Sequence, residues 1–200
     1  MVITMDRFAQ GMTFEEYVAQ MSENRDKFMA NYEKVQISAA DRAGICGIGV
    51  PLNVLILTED WCGDALTYVP VLGRLAACAG NWNLRIFKRD ENLDLADQYL
   101  NFGKFRSVPV VVFFDEQMHE LGRFIERPAA VNRERQQVID AIAREHVEVQ
   151  PGLRYNDQSD AGKDRLAGPL RELRLSRQAA WEQAAIDEVC AALANVRAAA

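Results

Sequence analysis

Cysteine and histidine are scarce in these 200 residues, with four of the first and two of the second. The cysteines, at 46, 62, 78 and 190, have neither the spacing of a metal site nor the density of a secreted disulfide scaffold. Reduced thiols and no bound metal or resident cofactor are therefore expected. No apolar run approaches the ~20 residues of a membrane span, and the first residues, Met1 to Asp6, lack the apolar core of a signal peptide. Positive charge is also short: 23 Lys and Arg stand against 29 Asp and Glu, a net charge of −6. That balance gives no support to nucleic acid or an anionic membrane as a partner. No internal repeat is visible, and the only biased stretch is the alanine-rich tail. What remains is a chain of 49% hydrophobic content, enough for a sizeable core, and a soluble cytoplasmic protein is the expectation.

The apolar run Val54 to Leu57 ends in Glu59 and Asp60, followed by a Trp61-Cys62-Gly63 turn and then a helical pattern from Asp64. A strand running into a helix leaves Cys62 at the helix N-terminus, where unpaired N–H groups and the dipole favour a thiolate. Glu59, Asp60 and Asp64 oppose that ionisation, and Lys104 and Arg106 are candidates to offset them or to bind an anionic thiol. Asp64 also has a purely structural use, favouring the helix dipole from the first turn.

Periodicity orders the rest of the chain. Thr13 and Glu16 form a capping box that opens a helical region over 13–37, with an apolar stripe of Phe14, Tyr17, Val18 and Met21 and a polar break at 22–27. A short helix follows from Ser38, and the glycine-rich 44–51 reads as a linker, since it has no phosphate-cradle lysine. Strand 53–59 shows too little alternation to face water. The helix from Asp64 ends near Gly80 and contains Pro70. Strand 83–88 comes next. Asp90 then caps a helix with Leu95, Tyr99 and Phe102 on its inner face, stopped by Gly103. Residues 109–114 and 119–125 form an antiparallel hairpin, with His119 solvated. Pro128 opens a helix to about His146 with Val138, Ile139 and Ile142 inward. A polar excursion covers 147–168, and Pro169 starts a last helix to about Val196, striped by Leu170, Leu173, Trp181, Ile186, Val189 and Leu193.

Two motifs carry a resemblance. Trp61-Cys62-Gly63-Asp64-Ala65 with Pro70 resembles the active-site turn of the thioredoxin family, usually Trp-Cys-Gly-Pro-Cys with a helical proline beyond it. Ser107-Val108-Pro109, ahead of an apolar strand, resembles the family's cis-proline, which faces the active cysteine. Two motifs in this order around the element pattern are more specific than either alone. The likeness covers about 51–146. It implies an α/β thioredoxin-like fold, a central mixed sheet flanked by helices, with a helical extension at 1–50 and a loop and C-terminal helix at 147–200. That last helix packs on the core or on a second subunit, as a homodimer would require. Cys62 is the implied nucleophile, and Trp61, Gly63, Asp64, Ser107, Val108 and Pro109 are the implied substrate-binding residues.

The chain departs from the family where a dithiol enzyme resolves its intermediate. Ala65 replaces the second cysteine. The family's buried carboxylate in the central strand is Ile56 here, and its basic partner falls on Ile86 or Phe87. Cys78, sixteen residues along the same helix at 1.5 Å per residue, lies about 24 Å from Cys62 and is read as a buried structural thiol. Cys190 reads as packing on an apolar stripe, and Cys46 is a resolving candidate in a loop. Two function classes survive. One is a monothiol oxidoreductase, in which Cys62 attacks a disulfide-containing protein or a small mixed disulfide and an external low-molecular-weight thiol resolves the product. The other is a non-catalytic module that binds a protein or thiol at the same surface, because the fold alone hosts both.

Overall fold

The computed structural model describes residues 3–46 and 48–194, Cys46 by its backbone alone. Two compact units are present, one holding the chain up to Arg127 and again from Ala185, the other Pro128–Ala184. The first contains a four-stranded mixed sheet in the order β2-β1-β3-β4, where β1 is Leu52–Thr58, β2 Trp82–Lys88, β3 Val110–Phe114 and β4 Glu120–Ile125. β1 runs parallel to β2 and antiparallel to β3, and β3 and β4 form the expected hairpin. Every residue of β1 is buried, as an unalternating central strand requires. Leu55, Leu57, Phe87, Val110, Val112 and Phe114 face one layer with Phe8, Leu95 and Tyr99. On the opposite layer Tyr68 of α5 (Ala65–Ala79) meets Phe124 edge-on at 5.6 Å. This is the α/β thioredoxin-like arrangement with helical extensions.

The N-terminal segment is bound tightly to this sheet. After the short helix α1 (Met5–Phe8), Met12 exchanges two 2.8 Å backbone bonds with Ile86 and so covers the open edge of β2, the edge most in need of a partner. α2 (Phe14–Gln20) starts from the Thr13–Glu16 capping box, and α3 (Arg25–Lys34) follows after the polar break. Gly73 in α5 lets the Phe14 ring come so close that a Cβ there would lie 2.5 Å from it. Pro70 lacks the N–H that would bond the Leu66 carbonyl, and Asn31 of α3 fills that role from outside, its Nδ2 donating at 2.7 Å.

Several elements differ from the sequence reading. α4 (Ala39–Cys46) runs through Gly44 and Ile45, so the expected glycine-rich linker begins as helix over 44–46, with Ile45 and Ile48 buried. The helix expected from Asp90 is a single turn at Arg89–Glu91 followed by α6 (Leu93–Ala96), flanked by Asn92. The Asn92 side chain bonds the Lys88 carbonyl at 2.7 Å, a local contact that competes with helix. Leu95 and Tyr99 are buried as expected, but Phe102 is 68% exposed. Asn101 and Phe105 pair and turn the chain at Phe102 and Gly103, both with positive φ, a geometry no helix continues through. Cys78 is half-buried rather than buried, because α5 leaves the packed layer over its last turn, residues 76–79.

The second unit begins with α7 (Ala129–Ala143) and contains the start of α8 (Asp160–Ala192). Pro169 does not start α8 but lies inside it; Gly168, with no Cβ to meet the proline ring, eases the helical backbone before it. Ile139, Val149, Leu166 and Leu170 form its core, with Val138 and Ile142 against them. The polar excursion is tied down by the buried Gln158 side chain, which bonds Gln150 at both its N–H and its carbonyl. The turns of α8 from Ala185 belong to the first unit, where Ile186, Val189 and Leu193 are buried. Gly122 of β4 lies close to Ala192 there, its Cβ position 3.1 Å from that carbonyl. Val196, the expected helix end, is outside the described residues. No helix among the described residues is long and apolar enough to cross a membrane.

Candidate functional site

β1 delivers the chain into a tight turn in which the Cys62 N–H bonds the Glu59 carbonyl at 3.2 Å. The Cys62 carbonyl then accepts from Leu66 N–H at 3.1 Å, so Cys62 stands at the head of α5. Its thiol donates to the Val108 carbonyl at 3.4 Å. The Val108–Pro109 peptide is cis, and both residues are buried. Ser107 is half-buried with its Oγ bonded by Asn101 Nδ2 at 3.2 Å. Gly63 is half-buried, and its carbonyl accepts the Thr67 hydroxyl at 3.4 Å. The residues expected from the two motifs therefore lie around one thiol, except for Trp61. Trp61 is 47% exposed, with its ring under the Arg89 guanidinium at 5.2 Å, and forms the rim of the site.

Cys62 itself is 9% exposed, and its electrostatics run against the thiolate that the helix N-terminus favours. Burial pushes the thiol up to about 11; Asp64 adds to the shift, the backbone N–H groups of Ala65 and Asp64 pull against it, and Glu126 raises it further. The helix N-terminus acts as anticipated but is outweighed, because desolvation penalises the charged form more than two N–H groups favour it. Cys62 rests as a protonated donor.

The acidic residues have distinct tasks. Glu59 accepts the Asp90 N–H at 2.7 Å, and burial holds its carboxyl above the usual range. Burial pushes Asp60 upward as well, but the N–H groups of Ser22 and Glu23 and the Ser22 hydroxyl outweigh it and hold that carboxyl below its ordinary value. Asp60 thus fastens the α2–α3 junction onto the active turn. Asp64 makes no side-chain cap; its Oδ2 pairs with Arg127 at 2.7 Å.

Arg106 does not neutralise the turn. Arg106 forms two bonds to Asp97, the shorter 2.6 Å, and the Lys104 ammonium stands over the Phe105 ring at 4.8 Å. The cation at the site is Arg127, clamped between Asp64 and Glu126. Glu126, 9% exposed, also accepts from Asn101 Nδ2 at 2.5 Å, and its backbone N–H donates to the Pro109 carbonyl at 2.7 Å. Asn101, Glu126 and Arg127 escaped the sequence reading. The only signal was an acid–base pair between a strand pattern and a helix-opening Pro128, a place where charge is ordinary.

Ala65 is buried at the second position of the turn. In the sheet register Ile56 pairs with Ile86 and with Val111, so the position expected for the basic partner is Ile86 and not Phe87, and apolar residues occupy all three places. The Cys46 side chain lies outside the described residues, so its candidacy as a resolving thiol does too.

No curated protein matches the chain. Among solved structures, PA1234 from Pseudomonas aeruginosa, described as a protein of unknown function, is 19% identical with a TM-score of 0.64 over 96% of this chain and 98% of its own. An HIV epitope-scaffold is likewise 19% identical, at a TM-score of 0.62 over 94% and 95%. Identity this low supports likeness of fold alone. A thioredoxin family model matches residues 11–139, more than half of the sequence, and with the strand order and the paired motifs already described, the chain belongs to the thioredoxin family.

Proposed function

We propose that the protein is a thioredoxin-like monothiol oxidoreductase acting through Cys62. The observation that carries this reading is the setting of the sulfur: at the head of α5, with the Ala65 and Asp64 N–H groups directed at it, 3.4 Å from the carbonyl preceding the cis-proline. On losing its proton, Cys62 attacks one sulfur of a disulfide; a Cys62 mixed disulfide forms and the other sulfur leaves as a thiolate. An external thiolate then attacks the mixed disulfide, restoring Cys62 and carrying away the bound half as a new disulfide. The Val108–Pro109 segment offers main-chain groups to an extended partner. Reaction is slow at neutral pH while the thiol is protonated, and a partner that relieves the burial or the negative charge accelerates it.

The test is to mix reduced protein with 2-hydroxyethyl disulfide and follow mass. Expected are a single adduct on Cys62, its release by added thiol, and neither event in Cys62→Ser. Ala65→Cys is expected to yield an intramolecular disulfide and to gain insulin reduction.

The burial and raised pKa of Cys62 favour a second reading, a binding module in which the thiol is recognised but not turned over. Its signature is partner capture that survives Cys62→Ser, with no adduct from any disulfide.

A further inference from the structure

This inference rests on the oxidoreductase reading and concerns what the site accepts. The charges around Cys62 come from four directions. From the head of α5 comes Asp64, from the turn before it Glu59 and Asp60, from the segment just after β4 Glu126 and Arg127, and from the end of β2 and the turn that follows come Lys88, Arg89, Asp90 and Glu91. Each of these cations is already held by carboxylate: Arg127 by Asp64 and Glu126, Arg89 by Asp90 at 2.7 Å, Lys88 by Glu91 at 4.0 Å. Arg106, the nearest arginine in sequence to the cis-proline, is held by Asp97 at 2.6 Å.

The carboxylates are not matched in return. Asp60 is bonded by uncharged N–H and hydroxyl donors and feels Lys88, and Glu59 feels Arg89, but those two cations are shared with Glu91 and Asp90, and Arg127 cancels only one of its two acids. The sulfur therefore faces surplus negative charge through a poorly solvated wall, where it acts more strongly than in water.

A second observation makes this surplus a built feature. Glu126 adopts φ +66, the left-handed region that a side chain enters at a cost and that Gly or Asn enters more cheaply. It is also buried. Its backbone bond to the Pro109 carbonyl would serve any residue, whereas its carboxylate takes Asn101 Nδ2 and Arg127, so strain and desolvation are both sustained to keep a carboxylate beside the cis-proline. Strain of this kind gathers at functional positions.

We propose that Asp64 and Glu126 make the Cys62 site selective for disulfides that carry positive charge beside their sulfurs. An amine-bearing small disulfide and a protein cysteine flanked by lysine present the same chemistry. Anionic disulfides such as that of glutathione are disfavoured. The incoming cation meets the surplus on Asp64 and Glu126, and its approach offsets the negative charge that adds to burial in holding the thiol protonated, so recognition and activation coincide. The thiolate that leaves departs with its own cation, and Arg127 stays in its clamp.

The experiment compares cystamine, 2-hydroxyethyl disulfide and oxidised glutathione, together with disulfide-linked peptide dimers whose cysteine is flanked by lysine or by glutamate. Each is added at equal concentration to the reduced full chain, and the Cys62 adduct is followed by mass, with Cys62→Ser as the blank. Rates are divided by those of a neutral, unstructured one-cysteine peptide, which removes each reagent's intrinsic reactivity. The expected result at low salt is a preference of roughly ten-fold or more for cystamine over oxidised glutathione, in line with a surplus unit charge at a partly screened site. The lysine-flanked peptide should exceed the glutamate-flanked one in the same direction, and their ratio against cystamine tells small thiol from protein as the better source. The preference should shrink in 0.5 M NaCl and fall several-fold in Asp64→Asn and Glu126→Gln. The salt series uses the unaltered protein and so stands even if a variant folds poorly. Equal or faster normalised reaction with glutathione disulfide overturns the selectivity while leaving the oxidoreductase reading intact. Absence of any Cys62 adduct, while the reference peptide reacts, overturns both.

Discussion

At the scale of single residues, the site is governed by the competition between burial and the helix N-terminus at Cys62. Iodoacetamide alkylation of Cys62 should rise with pH toward a midpoint near about 11 rather than level off near neutrality, and a midpoint below 8 would refute the burial argument. Asp64→Asn removes the second cause of the shift and should lower that midpoint by roughly one pH unit. Arg127→Ala acts differently. It leaves two largely buried carboxylates, their side chains 15% and 11% exposed, without their cation, and should cost about 3–5 kcal/mol in denaturant unfolding. A loss under 1 kcal/mol would mean that water already screens the pair. The sequence made Cys62, Gly63, Asp64 and Ser107 to Pro109 legible because each belongs to a local pattern. It set the helix N-terminus against the nearby acids and left the sign of the thiol's pKa open, since burial is a property of what packs around a residue. Glu126 and Arg127 were invisible for a related reason: antiparallel pairing of β3 and β4 sets residue 126 against Pro109, and no local pattern encodes that.

At the scale of elements, α5 depends on its neighbours in a way that its own sequence half reveals. Pro70 announces a missing N–H, but the donor that replaces it, Asn31, belongs to another helix and lies 35 residues before the Leu66 carbonyl that it bonds. Asn31→Ala should cost about 1–2 kcal/mol, the loss of a bond to a poorly hydrated carbonyl. Pro70→Ala returns an N–H to the same Leu66 carbonyl, so the two changes should be coupled: in the Pro70→Ala background the Asn31 loss should shrink to a fraction of its value. Additive effects in a double-mutant cycle would show that Asn31 acts elsewhere. Strong periodicity gave away the helices and strands with long apolar stripes. The failures cluster where side-chain hydrogen bonds or proline decide, as in the single turn at Arg89–Glu91, the loop at Phe102 and the helix that continues through Pro169.

At the scale of the whole molecule, the shifted groups divide stability into an acid limb and an alkaline limb. Asp60, Asp94 and Asp115 are held below the ordinary carboxylate value, Asp94 by the Arg7 pair and the other two by N–H donors that outweigh burial. A group depressed in the fold contributes stability above its unfolded value and loses it as pH falls, so the acid limb should open below about pH 4. Glu59 runs the other way, since burial raises it, and its protonation softens that limb. Cys62, at about 11, and Tyr99, pushed by burial to about 12, are raised. Groups raised in the fold contribute stability below their unfolded values and lose it as pH climbs through the folded ones. Urea midpoints should therefore be flat from about pH 5 to 8.5 and decline from about pH 9 upward. Cys62 accounts for about 3 kcal/mol of that decline, the free energy of moving its ionisation from the ordinary thiol value of 9.0 to about 11. Cys62→Ala removes the titrating group without introducing a charge, so it should flatten the slope between pH 9 and 11 while leaving the acid limb unchanged. An alkaline slope identical to that of the unaltered protein would mean that Cys62 ionises as freely in the fold as in the unfolded chain, and the buried, protonated thiol would have to be abandoned.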